Sequence, residues 1–363
     1  MVDMSPRFLV FVLGALVFHA SAQTIVTDQT GRSVAIPDRV DRIATLVIPG
    51  ASMAVAIDLG ADRLAGVHPS ARREIVNGLL GQMMPETRGI PFNLSGDGFV
   101  PNVEAILAAK PDVVVQWGDR GNAIINPMTA LGLPVLTLRY GSSALTAEWL
   151  KLMGKALTGR EARAEVLASR FLSVRQAVET VAAGVLPNRR PKVAYLYRAQ
   201  GNSFQVAGKN TSMDSDIRLA GGVNVAADLP GFAQVSVEQL LAWQPDVLLL
   251  NNFEKGIRPG AFFANRLLSA IPAVRERRVY LYPQGGFRWD PPSHESPLAW
   301  RWLLTLFHPD METPALRPEI EESYRMLYGY SPTPADLDAI LRIEENGGSL
   351  HYLAKFSRTG SRP

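Results

Sequence analysis

One segment of the sequence occurs twice. Residues 103–115 read VEAILAAKPDVVV and residues 237–249 read VEQLLAWQPDVLL, with the copies 134 positions apart. Each copy predicts a short helix, a turn at Pro-Asp and a buried strand, because proline cannot continue a helix and an unbroken apolar run suits a strand covered on both faces. A unit repeated at this separation indicates two similar lobes. A cleft between two lobes is a natural place for a ligand.

The composition is that of a globular protein. The 363 residues are enough for two domains with hydrophobic cores, and 47% are hydrophobic and 20% charged. The net charge is only +3 and the positive charges do not cluster in a basic tail, so nucleic acid is not an expected partner. The absence of cysteine excludes disulfides, thiolate metal sites, cysteine nucleophiles and a lipid anchor on cysteine.

The first 22 residues predict a signal peptide. Arg7 precedes an apolar run at residues 8–18, and the small residues Ala-Ser-Ala at 20–22 form a cleavage site. The alternative is a membrane anchor, but this run is too short to cross a hydrocarbon core of about 30 Å. We therefore expect cleavage near Ala22 and a soluble protein in the periplasm.

Predicted strands alternate with predicted helices before and after a central helical segment. This alternation predicts an α/β fold with parallel sheets. Residues 145–184 have helical periodicity throughout and predict one long helix, or two joined near Thr158 and Gly159. The predicted parts are an N-terminal lobe at 23–143, a linking helix at 144–184, a C-terminal lobe at 185–310, and C-terminal helices with a tail at 311–363.

Several segments, in this order, resemble one known family. They are GRSVAIPDRVDRIATL, AIDLGADRLAGV, NVEAILAAKPDVVV, LAGGVNVAADLPGFAQVSVEQLLAWQPDVLLL and SPLAWRWLLTLFHPD. Together they are similar to substrate-binding proteins with a helical hinge, which serve ABC importers of siderophores, haem, cobalamin and related metal complexes. The resemblance implies two Rossmann-like lobes joined by a long helix, a ligand cleft between them, and small closing motions. It also implies a permease dimer in the inner membrane as partner.

Glu104 and Glu238 occupy equivalent places in the two repeats. Asn102 and Ser236 stand where helix N-caps belong, so each glutamate falls in a first helical turn, where the helix dipole favours a carboxylate. That local role needs no partner. The resemblance implies a second role that is compatible with the first, in which each glutamate meets arginines of the permease and sets the orientation of docking.

Aromatic and arginine side chains follow several predicted strands. Residues 285–297, GGFRWDPPSHESP, follow the strand predicted at residues 278–282, and ligands of open α/β sheets bind beyond the carboxyl ends of strands. Arg288 between Phe287 and Trp289 offers a bidentate cation for carboxylate, catecholate or phosphate oxygens beside stacking faces. The alternative is a surface loop whose tryptophan packs on its own lobe. The other predicted ligand-binding residues are Arg198, Tyr197, Trp117, Arg120, Tyr140, His68 and Phe92.

The histidines give no pattern for a resident metal. There are five, and no two have ligand spacing on one element. A metal inside its own chelator needs few protein ligands, and His68, His294, Tyr140 or Tyr197 is able to supply one. Motifs of hydrolases, zinc proteases and nucleotide-binding enzymes are also missing, so we expect no enzyme and no catalytic residues.

These features predict a monomeric periplasmic binding protein that delivers a chelated metal to an ABC importer. A ferric siderophore is the leading ligand because arginine and aromatic side chains suit a large anionic complex. The alternatives are haem or a corrinoid, and molybdate or tungstate, which would favour arginine and backbone N–H groups with little aromatic lining. We expect no cofactor other than the metal in the cargo. The rival from another class is a secreted hydrolase.

Overall fold

The computed structural model describes residues 23–141, 145–201, 203–254 and 256–357. The predicted signal peptide and its cleavage site lie outside these residues. In the described part of the chain, no helix combines the length and the apolar character needed to cross a membrane.

The first lobe begins with a hairpin and continues as alternating strands and helices. Its elements are β1 (Gln23–Thr27), β2 (Ser33–Pro37), β3 (Ile43–Thr45), α1 (Gly50–Asp58), β4 (Leu64–Val67), α2 (Pro69–Asn77), α3 (Leu80–Met83), α4 (Val103–Ala109), β5 (Val113–Trp117), α5 (Asn126–Thr129) and β6 (Val135–Leu138). The hairpin pairs β1 with β2. The other strands form a fully parallel sheet of order β4-β3-β5-β6.

Two helices lead to the second lobe, and helices also end the chain. The linking helices are α6 (Thr146–Ala156) and α7 (Glu161–Ala183). The second lobe contains β7 (Lys192–Gln200), β8 (Ser203–Ala207), α8 (Ser212–Leu219), β9 (Val223–Asn224), β10 (Phe232–Ser236), α9 (Val237–Trp243), β11 (Val247–Leu250), α10 (Pro259–Ala264), α11 (Pro272–Arg275) and β12 (Val279–Leu281). The closing helices are α12 (Ser296–Phe307), α13 (Leu316–Tyr328), α14 (Pro334–Ile340), α15 (Ile343–Asn346) and α16 (Tyr352–Phe356).

The second sheet is mixed. Strands β7, β11 and β12 are parallel, as the sequence predicts, and β9 pairs with β7 in the same sense. On the other side, β8 pairs antiparallel with both β7 and β10, so the order is β10-β8-β7-β11-β12. The antiparallel pairs are an addition that the sequence did not predict.

The repeated segment has the same structure in both lobes. It forms α4 and β5 in the first lobe and α9 and β11 in the second. Both helices end at a left-handed residue, Lys110 with φ 46° and Gln244 with φ 48°. The following aspartates also act alike, because Asp112 accepts hydrogen bonds from the backbone of Asp41 and Arg42, and Asp246 accepts one from the backbone of Lys192. Each aspartate thereby fixes the start of the neighbouring strand.

The central segment contains two helices, which is the second of the two predicted alternatives. The chain turns after α6, and Lys151 of α6 lies 3.3 Å from Glu165 of α7. Helix α7, with 23 residues, is about 34 Å long. Arg163 in its first half donates to the carbonyl of Ala56 in the first lobe, and Phe171 packs on Trp300 of α12 at 4.9 Å between ring centroids.

The hydrophobic core is shared by the lobes. One cluster of buried side chains includes both faces of the first sheet, α6, α7, α12, α13 and one face of the second sheet. Trp302 of α12, for example, stacks on Tyr282 just after β12. A second cluster covers the other face of the second sheet. Because the first cluster is continuous, the two lobes have a largely fixed relative position.

Candidate ligand-binding site

The two lobes enclose a cavity of about 320 Å³. This volume is within the range of small-molecule sites. Its lining comprises Ile48, Pro49, Phe99, Trp117, Arg120, Tyr140 and Trp149 from the first lobe and α6, and Tyr195, Tyr197, Ser212, Met213, Phe232, Phe253, Phe287, Arg288, Asp290, Pro291 and Pro292 from the second.

The first-lobe wall is a chain of aromatic rings with one arginine. Trp117 ends β5 and meets Tyr140 and Trp149 edge-to-face, at 5.8 and 5.4 Å between ring centroids. Phe99 meets Trp117 at 6.3 Å. The exposed Arg120 places its guanidinium 4.4 Å from the centre of the Phe99 ring. This wall therefore combines stacking faces with a cation at the rim.

The second-lobe wall repeats this chemistry. Tyr197 near the end of β7 contacts Phe232 and Phe253, at centroid distances of 4.3 and 5.2 Å. The guanidinium groups of Arg198 and Arg288 both lie over Phe253, at 4.7 and 4.6 Å from its centre. The Phe253 ring holds the two cations near each other, so this wall offers stacking faces beside positive charge.

The loop that carries Phe287 and Arg288 is fixed by a buried carboxylate. Glu295 is fully buried and accepts hydrogen bonds from the backbone of Phe287, the indole of Trp289, and the hydroxyls of Tyr324 and Tyr328. Burial raises the pKa of Glu295, and these four donors counteract that increase. The loop is thus positioned by contacts with α13.

Glycine is required at the start of this loop. A Cβ on Gly285 would overlap the hydroxyl of Tyr324, and a Cβ on Gly286 would lie 2.5 Å from the hydroxyl of Tyr328. The backbone therefore approaches the tyrosines of α13 more closely than any other residue type allows.

Charged groups of both lobes meet beneath Arg288. Its Nε lies 3.7 Å from Glu74 of α2 and 3.8 Å from Asp290. Burial raises the pKa of both carboxyl groups, while Arg288 opposes the increase. Two carboxyl groups thus share one guanidinium at the bottom of the cleft.

Six of the residues predicted to bind ligand line the cavity, namely Trp117, Arg120, Tyr140, Tyr197, Phe287 and Arg288. Arg198 is not part of the lining, but its guanidinium stacks on the rings of Tyr197 and Phe253, which do line the cavity.

Three predicted ligand-binding residues lie elsewhere. Trp289 is 0% exposed and turns into the core, where its indole N–H donates a hydrogen bond to the buried Glu295. His68 is the N-cap of α2, where its ring accepts a hydrogen bond from the backbone of Ser70, and it packs against Phe99. Its pKa is lowered to about 4, mainly by burial and further by the positive charges of Arg73 and Arg120. Phe92 is on the outer surface, 48% exposed.

Several lining residues were not predicted from the sequence, notably Phe99, Phe232, Phe253, Tyr195 and Asp290. The repeat contains a signal for one of them, since Phe253 is equivalent to Asp119, and each follows the strand of its repeat by two or three residues. The end of β5 and the loop after it carry the predicted ligand residues Trp117 and Arg120, and the same reasoning applied to the loop after β11 predicts Phe253.

The repeated glutamates are both exposed. Glu104 is in the first turn of α4, which Asn102 caps through the backbone of Ala105. Glu238 is in the first turn of α9, which Ser236 caps. A hydrogen bond from Ser236 lowers the pKa of Glu238. Among the residues that the structure describes, no group of three or more acidic or histidine side chains is arranged to hold a metal ion.

Two α/β lobes around a ligand-sized cavity define a two-lobed solute-binding protein. The chain belongs to the periplasmic binding protein family, whose model matches residues 94–285. A periplasmic solute-binding protein from Veillonella parvula has a similar crystal structure, with 31% identity, a TM-score of 0.82, and coverage of 90% of this chain and 99% of that one.

Curated relatives extend the similarity over most of the chain. The molybdate-binding protein MolA of Haemophilus influenzae is 26% identical over 344 residues, which are 89% of this chain and 96% of that protein. A cobalamin-binding protein of Halobacterium salinarum is 26% identical over 260 residues, which are 67% of this chain and 68% of that protein. This protein is therefore a periplasmic substrate-binding component of an ABC importer.

Proposed function

We propose that this protein binds an anionic metal chelate, foremost a ferric siderophore, in the cavity between its lobes. The observation that carries the proposal is the pairing of Arg120, Arg198 and Arg288 with the rings of Phe99, Tyr197 and Phe253. A chelate has apolar and aromatic surface around a charged centre. The rings of the two cavity walls complement the apolar surface, and the arginines complement the charge.

The iron is cargo in this proposal. It arrives already held by its chelator, so the protein needs no cofactor of its own. Tyr140 and Tyr197 are the cavity-lining hydroxyls able to contact a metal directly, and burial raises the pKa of Tyr140, which disfavours a phenolate there. Recognition would then depend on the chelator's outer surface.

Molybdate is the second candidate because of the similarity to MolA over 89% of the chain. A small oxyanion would use Arg288 and leave most of the aromatic lining without a partner. The similarity to a cobalamin-binding protein supports a corrinoid as a further alternative within the chelate class, and haem belongs to the same class.

Delivery would use the repeated glutamates. Glu104 and Glu238 are exposed at the starts of equivalent helices. Helix α4 packs through Ile106 in the core shared by the lobes, and α9 packs through Leu240 in the second cluster, on the other face of the second sheet. Two carboxylates at a set separation suit arginines on the two subunits of a permease dimer in the inner membrane. We infer that the mature protein, after signal cleavage near Ala22, works in the periplasm as a monomer.

The test is a tryptophan-fluorescence titration of the mature protein. Trp117 and Trp149 line the cavity, so an occupying chelate should quench them. The panel is a ferric trihydroxamate, a ferric tris-catecholate, haemin, cobalamin, molybdate and tungstate. Saturable quenching at one equivalent by a ferric chelate, with micromolar or tighter affinity, supports the proposal. A response to the oxyanions alone would replace it with molybdenum or tungsten uptake.

A further inference from the structure

One carboxylate oxygen of Asp290 accepts no hydrogen bond within the part of the chain that the structure describes. The residue is 3% exposed and lines the cavity. Its Oδ2 accepts a hydrogen bond of 2.8 Å from the hydroxyl of Tyr195, which is itself buried. Its Oδ1 is buried and has no hydrogen-bond partner among the described residues. Tyr195 therefore fixes the carboxyl group and leaves one oxygen available.

Arg288 does not satisfy that oxygen. Its Nε is 3.8 Å from Oδ1, which is beyond hydrogen-bond distance, and Nε donates no hydrogen bond to any residue that the structure describes. An unpaired buried acceptor and an unpaired buried donor on neighbouring residues are each unfavourable. A ligand that carries a donor and an acceptor side by side would satisfy both atoms.

The local charge is also informative. Glu74 and Asp290 both lie within 4 Å of Arg288, so the lobes contribute two carboxyl groups and one guanidinium at this end of the cavity. A bare oxyanion held by Arg288 would meet the free oxygen of Asp290, which repels it and offers no proton when ionised.

We propose that Asp290 is a specificity-determining residue: its free oxygen accepts a hydrogen bond from an N–H or O–H group of the ligand, beside an anionic group held by Arg288. This inference rests on the proposed function of the cavity and narrows its substrate class. The preferred chelate carries amide, hydroxyl or ammonium donors next to its anionic groups, and bare tetrahedral oxyanions are disfavoured.

The substitution Asp290→Asn reverses the polarity of the free position. If the amide oxygen keeps the hydrogen bond from Tyr195, the amide N–H₂ faces the cavity in place of an acceptor. We would titrate wild type and D290N by calorimetry with two probes. One is sodium tungstate, and the other is ferrichrome, a neutral ferric trihydroxamate with amide donors beside its hydroxamate oxygens, so that a change in its affinity does not reflect net charge alone.

We expect D290N to bind tungstate at least tenfold more tightly than wild type and ferrichrome at least tenfold more weakly. Asp290→Ser replaces the carboxylate with a shorter, neutral side chain and should also bind tungstate more tightly than wild type. This second variant keeps the test decisive if D290N does not fold. The control Asp310→Asn removes one exposed charge after α12 and should change neither affinity by more than twofold.

The outcomes separate the two proposals. If neither D290N nor D290S binds tungstate more tightly than wild type, Asp290 does not select against oxyanions and the inference is wrong. If wild type binds ferrichrome and D290N binds it equally well, Asp290 does not accept a hydrogen bond from the ligand and that part of the inference is wrong. If wild type binds no chelate of the full panel, the proposed function fails, while a gain of tungstate binding in D290N still supports selection by Asp290.

Discussion

The carboxylate of Glu74 and the guanidinium of Arg288 lie 3.7 Å apart on opposite lobes. The same Glu74 oxygen accepts a hydrogen bond of 3.1 Å from Gln284, and Leu79 donates through its backbone to Gly285 at 2.9 Å. One end of the cavity is therefore closed by direct contact between α2 and the loop that begins at Gly285. Arg288 is oriented by this contact and is partly neutralised by it.

Replacing Glu74 with glutamine should strengthen the binding of an anionic chelate. Glutamine keeps an acceptor for Gln284 but removes a negative charge beside Arg288, so we expect a gain of about fivefold in affinity. Calorimetric titration of Glu74→Gln measures the effect, with the exposed Glu86→Gln of the same lobe as control. Weaker binding by Glu74→Gln alone would mean that the charge of Glu74 is needed to orient Arg288.

Replacing Arg288 with glutamine should weaken the binding of the same chelate. The loss of a charge-assisted contact in a buried site is expected to cost about 2 kcal/mol, or roughly thirtyfold in affinity. Arg39→Gln, a change of an exposed arginine, provides the control. Thermal melts of both variants distinguish lost binding from lost folding. Unchanged affinity in a folded Arg288→Gln protein would remove Arg288 from the ligand site.

The double substitution Glu104→Ala with Glu238→Ala should stop transport and leave ligand affinity unchanged. Both side chains are exposed at helix starts and lie outside the cavity lining. Uptake of labelled ligand by cells that carry the cognate permease measures transport, and titration of the purified protein measures affinity. Glu86→Ala with Glu276→Ala changes one exposed glutamate per lobe and should transport normally. Full transport by the Glu104 and Glu238 variant would contradict the docking proposal.

The substitution Gly285→Ala should destabilise the protein by about 2–3 kcal/mol, because the added methyl group overlaps the hydroxyl of Tyr324. Removing that hydroxyl in Gly285→Ala with Tyr324→Phe should restore part of the loss. Gly89→Ala, at a position with no atom near the new Cβ, is the matched control. Urea unfolding provides the measurement. If the second substitution restored no stability, the overlap would not be the cause.

The structure predicts loss of stability in acid through His294. Burial lowers its pKa to about 3, and its Nε2 lies 2.5 Å from the hydroxyl of Tyr328. Below pH 6.5 the unfolded state binds a proton that the folded state does not, so stability falls by up to about 1.4 kcal/mol per pH unit until pH 3. His294→Gln should have a flatter profile over this interval in urea unfolding. A slope equal to that of wild type would place the titrating group elsewhere, with His68 as the next residue to test.

The repeat made the fold largely predictable. Short-range signals in the sequence specify both helix-turn-strand units. Asn102 and Ser236 cap the two helices. Asp112 and Asp246 accept hydrogen bonds from the backbone at the start of the neighbouring strand. Strands β8 and β10 were not predicted because they pair only antiparallel, β10 at the sheet edge and β8 between β10 and β7, and the alternation of strand and helix does not signal such pairs.

The site was predictable only in part. Residues at or near strand ends, such as Trp117 and Tyr197, line the cavity as the predicted sheet topology indicates. Within residues 285–292 the directions of side chains depend on groups outside this stretch. Glu295, just before α12, accepts the indole hydrogen bond of Trp289 and is itself bonded to Tyr324 of α13. Trp289 therefore points into the core and Asp290 lines the cavity. The sequence of residues 285–292 alone does not predict which of these side chains faces the cavity.

The continuous core of α7 and α12 has a consequence for anyone who builds a sensor from this protein. Moving the lobes apart would bring side chains such as Phe171 and Trp300 into water, so the span between two dyes, one on each lobe, should hardly change on loading. A single environment-sensitive fluorophore at the cavity mouth, for example in place of the exposed Asp119, is the design that this architecture favours.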